Sequence, residues 1–231
     1  MQFQIEKLNM GKIPRLNLAA QVEQRIKNFL MVGILKPGER LVTRNIAEHL
    51  GISITPVREA LLQLVSSGAL VALPAQAFLV PEMTLTKYKE ITAVRKNLEM
   101  MAVREAAYSI TPSELATLHQ SYIALRDACT AGNTEQSLQA NFAFRFQLYD
   151  YARMPTLLTM IEQLWVRTGP SFNYICSDNG ETQIHHHYKN LLNALYHRDG
   201  EKCAKIIEKS IDCDAALLTQ RIKSNKMTLI S

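Results

Sequence analysis

The sequence predicts a mainly α protein in two parts: an N-terminal winged helix-turn-helix over residues 1–82, and a C-terminal all-helical antiparallel bundle of about six helices over residues 83–231. Three observations predict it. Up to about residue 82 the chain breaks into short helical and extended stretches punctuated by glycine and proline. From Thr84 onward it runs in long helical periods separated by short breaks. The charge is also uneven, with nine basic and five acidic side chains in the first 80 residues against 17 and 16 in the remainder. An N-terminal basic excess suits a polyanionic partner, though a modest excess is more often a solvated surface.

The elements follow in order. "LAAQVEQRIKNFLMVG" (18–33) places Val22, Ile26, Phe29 and Leu30 at helical spacing and stops at Gly33. "LKPGERL" is a turn built on Pro37 and Gly38. "TRNIAEHLG" is expected to open on Thr43 as N-cap and close on Gly51. A second helix is expected from about Thr55 to Ser66, capped by Ser53 or Thr55. Pro56 falls in its first turn, where a missing N–H costs nothing. Val57, Ala60, Leu61, Leu64 and Val65 then form a buried stripe. "ALVAL" and "AFLVPE" read as two short strands joined at Pro74, Ala75 and Gln76.

In the second half, "TLTKYKEITAVRKNLEMMAVREAAYSI" is one long amphipathic helix. The next opens with a capping box, Thr111 as cap, Pro112 at the first helical position and Glu114 three residues after the cap. Asn133 is the expected cap of the third. The fourth is bent or ended at Gly169-Pro170, and the last two run from about 181 to 197 and 200 to 222. Short loops between long helices imply antiparallel neighbours.

Composition narrows the class. With 47% hydrophobic and 20% charged residues the chain is ordinary for a globular protein, and no apolar run approaches a membrane span or a signal-peptide core. The expected location is the cytoplasm. Cys129, Cys176, Cys203 and Cys213 are too widely spaced for a zinc knuckle or a disulfide framework, and are expected to be buried thiols. No G-x-S-x-G, P-loop, H-E-x-x-H or paired-carboxylate frame occurs, so an enzyme and a cofactor are not expected.

The helix after Gly51 raises the functional question. Its off-stripe residues near the start are Ile54, Thr55, Arg58 and Glu59. A helix entering the major groove uses its first turns to reach base edges, and aims backbone N–H groups at phosphate. Helix, turn and helix, followed by a strand pair, therefore make a winged helix-turn-helix that reads DNA. A small three-helix packing unit with no DNA explains the pattern alone about as well.

Resemblance decides between them. "LKPGERL…IAEHLGISITPVREALLQLVSSGALVAL" resembles the winged helix of GntR-type bacterial transcription regulators over residues 18–80, and the helical remainder resembles the effector-binding FCD domain of the FadR subfamily, in its six-helix VanR-like branch. The resemblance implies DNA contacts at Arg44, Thr55, Arg58 and the wing tip at Pro74 to Ala77, where Gln76 is the polar side chain able to read a base edge. Relatives usually have arginine where this chain has Ile54, which could meet a thymine methyl instead of a guanine. Lys7, Lys12 and Arg15 could add phosphate contacts. A homodimer on inverted-repeat double-stranded DNA would double every contact. Repression is the expected mode, with no membrane partner.

The resemblance also implies a metal site in many FCD domains, built from Asp, a histidine four residues on, and two later histidines. Here those positions fall on Asn141, Arg145, Tyr188 and Ser210. None of these is a routine ligand in that set, so no metal is expected there. The run His185, His186 and His187 offers an alternative metal-sensing site, with His187 the best placed. Adjacent histidines diverge by about 100° on a helix, so a solvated face is favoured. Arg95 matches a pocket arginine of the subfamily. Arg95, Asn141, Arg145 and Tyr188 would then hold a small, anionic or hydroxylated effector. The alternative is that Arg95 and Arg145 form buried structural ion pairs with Glu99 or another acid. Trp165 is expected to be core.

Overall fold

Helix α1 (Leu18–Val32) touches both halves of the molecule. The structure is a computed structural model that describes residues 18–75, 77–174 and 181–228, with side chains described over 18–75, 77–173 and 187–220. After α1 come β1 (Arg40–Val42), α2 (Thr43–Leu50), α3 (Ile54–Ser66), β2 (Val71–Leu73) and β3 (Ala77–Leu79). The buried side chains of α1, Val22, Ile26, Leu30 and Met31, and those of α3, Val57, Ala60, Leu61 and Leu64, belong to one core. Val65, expected on the buried stripe, is half-buried, because it stands at the edge of the stripe's arc.

Three local expectations are corrected. Thr43 does not cap α2: Val42 is the N-cap and Thr43 is the buried first residue of the helix, because the chain enters α2 directly from β1. Helix α3 starts at Ile54 with Ser53 at the cap position, and neither cap contributes a side-chain hydrogen bond. The wing has three strands, not two. β3 lies between β1 and β2, antiparallel to both, with Leu41 opposite Phe78 and Ala72 opposite Phe78. "RLV" gave no signal of its own because three residues are too few to show alternation; its partner, 37 positions on at Leu41–Phe78, supplies the pairing. Gly51 is the expected left-handed stop (φ 65°), and the N–H groups of Gly51 and Ile52 close onto the carbonyls of Glu48 and Ala47.

The second half holds six helices among the described residues: α4 (Leu85–Ser109), α5 (Pro112–Thr130), α6 (Thr134–Asp150), α7 (Pro155–Thr168), α8 (Glu181–Tyr196) and α9 (Gly200–Thr228). Thr84, Thr111 and Asn133 accept cap hydrogen bonds at the starts of α4, α5 and α6, and the capping box of Thr111 and Glu114 forms. Helix α7 ends at Thr168, and Gly169–Tyr174 continues as a 3-10 turn. The last helix extends beyond the expected 222 to Thr228. Among the described cysteines, Cys129 and Cys203 are buried thiols and Cys213 is half-buried; Cys176 lies outside the described residues.

The halves meet where α1 lies on α7 and the 3-10 turn. A Cβ on Gly169 would sit 2.2 Å from the Leu30 carbonyl oxygen, 2.6 Å from that of Met31 and 2.8 Å from the Met31 Cα. All three atoms are backbone, so the close approach requires glycine. The Asn173 amide donates to the Gly33 carbonyl, and Lys27 pairs with Glu162 at 3.2 Å across the same seam. Gly169→Ala should therefore push α1 off the bundle at a cost of about 1–3 kcal/mol. Thermal unfolding should show the loss, and limited proteolysis should show faster cleavage near residues 81–84. A variant as stable and as protease-resistant as the parent would mean that the seam yields freely.

Candidate functional site

Two constellations hold the residues singled out above. The first is the outward face of the helix-turn-helix. Gly51 turns the chain from α2 into α3 so that Ile54, Thr55 and Arg58 stand exposed on the first two turns of α3. Ile54 and Leu62, both exposed apolar residues, flank Arg58 along one row of the helix. Arg44 leaves the start of α2 with its side chain 76% exposed, its Nε 4.0 Å from Glu48 across one helical turn. A pair so open to water holds Arg44 weakly and leaves it free to exchange Glu48 for a phosphate. Gln76, Lys7, Lys12 and Arg15 lie outside the described residues.

The second constellation lies within the bundle and is organised by Glu99 on α4, fully buried. Its Oε1 accepts from Arg95 Nε (2.7 Å) and Trp165 Nε1 (2.8 Å). Its Oε2 accepts from the Tyr149 hydroxyl (2.5 Å) and from Arg145 Nη1 (3.5 Å). Burial alone would raise this carboxyl; the pull of Arg95 and Arg145 and the hydrogen bonds from Tyr149 and Arg95 outweigh it and hold the group below its ordinary value. Arg95 also donates to Thr168 Oγ1 at 3.3 Å and lies over the rings of Trp165 (4.7 Å) and Phe172 (5.4 Å). Trp165 is thus core, as expected, but its indole N–H also holds the carboxylate.

The four residues expected to hold an effector, Arg95, Asn141, Arg145 and Tyr188, are placed unequally. Asn141, Arg145 and Tyr188 come together: Arg145 Nε donates to the Tyr188 hydroxyl at 2.6 Å, and that hydroxyl donates to Asn141 Oδ1. Arg145 Nη2 donates to Ser210 Oγ at 2.7 Å, and Nη1 to the Tyr149 hydroxyl at 3.1 Å. So the four positions Asn141, Arg145, Tyr188 and Ser210 converge, and the Arg145 guanidinium lies among the other three. Arg95 joins them through Glu99 rather than directly. Among the described residues no group of three or more His, Cys, Asp or Glu side chains is placed to share an ion. His187 is half-buried, and the side chains of His185 and His186 lie outside the described residues.

Sequence reasoning missed three participants. Tyr149 lies four residues after Arg145 and eight after Asn141, so it shares their face of α6. Thr168 sits at the last turn of α7. Asp214 lies four residues after Ser210 on α9 and is half-buried. Burial pushes its carboxyl up to about 6, with Arg145 and Arg95 pulling the other way. Helical spacing from Arg145 and from Ser210 was the available signal for Tyr149 and Asp214. Burial likewise raises the phenols of Tyr88 and Tyr188 to about 12, so both stay protonated donors at neutral pH.

Removing the hub leaves two buried guanidiniums with no hydrogen-bonded carboxylate among the described residues, and only the more distant Asp214 as counter-charge. Glu99→Gln should cost about 3–5 kcal/mol in denaturant unfolding, whereas joint replacement of Arg95, Glu99 and Arg145 by apolar residues of similar volume should cost far less. Asp214 acts in the opposite sense. Its folded pKa is above its ordinary 3.8, so the native state holds the proton more tightly, and stability from this group is present below about pH 4 and lost as pH rises through about 6. Asp214→Asn should therefore gain stability relative to the parent between pH 4 and 7, on the order of 1–2 kcal/mol once solvent screening at its exposed edge is allowed for. Parallel melting curves of the two proteins across that range would show this as a widening gap; a constant gap would mean that the carboxylate is comfortably solvated.

Comparison with known proteins places both parts of the chain in a family. The model of the bacterial regulatory proteins of the gntR family matches residues 18–80, and that of the FCD domain matches residues 90–212. The chain is 44% identical over 214 residues to the HTH-type transcriptional regulator McbR of Escherichia coli K12, covering 91% of this chain and 97% of that protein. It is 25% identical over 194 residues to the HTH-type transcriptional repressor RspR of the same organism, covering 81% of this chain and 84% of that one. The solved structure of E. coli McbR/YncC superposes with a TM-score of 0.83 at 43% identity, covering 90% of this chain and 99% of that one. With a helix-turn-helix that presents Ile54, Thr55 and Arg58 to solvent and a helical domain built around a buried arginine cluster, this chain belongs to the GntR family of bacterial transcription regulators, in the branch that carries an FCD domain.

Proposed function

We propose that this DNA-binding regulator is a cytoplasmic homodimeric repressor, not an enzyme. Residues 1–82 bind an inverted-repeat operator, and residues 83–231 bind a small effector at Arg95, Asn141, Arg145 and Tyr188. The observation that carries the DNA part is the exposed group of Ile54, Thr55 and Arg58 on the first turns of α3, with Arg44 only loosely paired to Glu48 on α2. One arginine per helix is a thin grip, so a second half-site from a dimer supplies the remainder. A relative named as a repressor supports that mode. Ile54 offers an apolar contact suited to a thymine methyl, and so sets a base preference unlike that of relatives with arginine there.

The effector part is supported by the position of the arginine cluster. Arg145 brings fixed positive charge to the point where the four positions converge, and Arg95 reaches Thr168, the residue before Gly169. Gly169 is where the bundle touches α1. A ligand that moves Arg95 thus moves a seam one residue away, and α1 packs in turn on α3. The shift in operator affinity is bounded by the ligand's preference between the two arrangements.

Operator binding tests this reading. Arg58→Ala should weaken specific binding by about 1–3 kcal/mol while leaving the fold intact, and Ile54→Arg should change the base preference in a selection from random duplexes. Wild-type affinity in the first variant and an unchanged selected sequence in the second would remove α3 from the groove. Light scattering should give the mass of a dimer at micromolar concentration, and an isolated half-site should bind far more weakly than the inverted repeat.

A further inference from the structure

Helix α4 buries one face in the bundle and leaves the other bare. Tyr88, Ile91, Arg95, Glu99, Val103 and Ala106 are buried. On the opposite face Val94, Met101 and Tyr108 are large apolar side chains, 47%, 44% and 54% exposed. They stand in line, seven residues apart. Lys87, Glu90, Asn97 and Arg104 alternate with them at spacings of three and four, so all seven make one seam along the helix. Val94, Asn97 and Met101 form its middle, and the charges stand towards its ends. Single exposed apolar side chains need no explanation, but three in a row on one helix mark a surface that another protein covers. The charges of the seam are held loosely. Lys87 pairs with Glu90 at 3.0 Å in the open, and Arg104 meets Glu201 through Nε and Nη2, leaving Nη1 out of that pair. Pairs so exposed exchange partners at little cost.

Charge names the partner and its direction. Lys87 and Glu105 are eighteen residues apart, about five whole turns, and so stand on one edge of the seam. Glu90 and Arg104, fourteen apart or about four turns, stand on the other. Each edge thus carries a cation at one end and an anion at the other. Two helices packed antiparallel about a two-fold axis bring like edges together, so each edge is complementary to its own copy. The two pairs are centred on positions 96 and 97, and one axis beside Asn97 serves both. The same axis brings Val94 of each copy to Met101 of the other. Parallel packing would instead set Lys87, Glu90 and Arg104 each against itself, three like-charge contacts along the seam. We propose that α4 is the face on which two copies of this chain meet, antiparallel about a two-fold axis beside Asn97. Val94 and Met101 pack across that axis, and Lys87 with Glu105 and Glu90 with Arg104 form ion pairs between the copies.

The inference rests on the reading that the regulator is a homodimer, and it is tested on the full-length protein without DNA. Sedimentation over a range of concentrations gives the dimer dissociation constant. Met101→Glu sets two like charges close to the axis and should raise that constant about tenfold or more, with helical content unchanged. Asn97→Cys brings two thiols together at the axis and should give a covalent dimer under mild oxidation that the parent does not give. The charges test the direction. Lys87→Glu and Glu105→Lys should each weaken self-association, because each sets like charges together twice. Mixed in equal amounts the two variants should associate as tightly as the parent, since each antiparallel contact in the mixed dimer again joins a cation to an anion. A monomeric parent would overturn this interface and the dimer reading together. A dimeric parent whose association survives Met101→Glu unchanged, or whose Asn97→Cys variant forms no bond between chains, would overturn the α4 seam and leave the dimer to another face. Single charge variants that weaken association and do not recover on mixing would overturn the antiparallel arrangement.

Discussion

The bundle depends on one carboxylate. Glu99 has about four lone-pair directions to offer, and four donors on three other side-chain types use them: two guanidiniums, an indole and a phenol. Those donors come from α4 itself, α6 and α7. The charge therefore fixes the relative rotation of three helices whose apolar contacts alone would tolerate slippage. A buried ion network of this kind is a poor source of net stability, since desolvation offsets most of the attraction. What it provides is a specified geometry, because each donor has one place to go and an unpaired one is costly.

Arg145 and Arg95 divide the work around that carboxylate. Arg145 draws in α6, α8 and α9 through Tyr149, Tyr188 and Ser210. Arg95, lying over the rings of Trp165 and Phe172, donates to Thr168 at the end of α7, next to the 3-10 turn. The turn in turn presses its glycine into the carbonyls of Leu30 and Met31. Cluster, seam and DNA-binding helices are thus joined by packed contacts, with α1 lying on both the bundle and α3. Physical continuity of this kind would let a ligand that favours one arrangement of the cluster bias the orientation of the winged helix.

On the DNA side the design is economical. The row Ile54, Arg58 and Leu62 offers one charge between two apolar side chains. In the proposed reading, such a surface would meet methyl groups and shape as much as hydrogen bonds, and the dimer proposed above would share the phosphate contacts across two copies. Arg44, in its loose pair with Glu48, costs little to redirect.

Much of this was legible in the sequence. Gly51, Thr111 with Glu114, and Asn133 act where they stand because caps and left-handed turns depend on neighbours a few residues away. The stripe of Val57, Ala60, Leu61 and Leu64 follows from helical period alone, as does the exposure of Ile54, Thr55 and Arg58 opposite it. The convergence of Asn141, Arg145, Tyr188 and Ser210 was accessible through family resemblance, since no local pattern links residues 141 and 210. Three things needed the tertiary structure. Strand β1 exists because β3 pairs with it, and Thr43 lost its capping role to the strand that precedes it. Gly169 looked like a helix stop and is instead a contact point with α1, 138 to 139 positions away at Met31 and Leu30. Thr92 and Asp214 look like ordinary helix residues until burial leaves the Thr92 hydroxyl without a hydrogen-bond partner among the described residues and raises the Asp214 carboxyl. Local sequence determines what a short segment does by itself; which polar groups are stranded together in the interior is decided only when distant helices close over them.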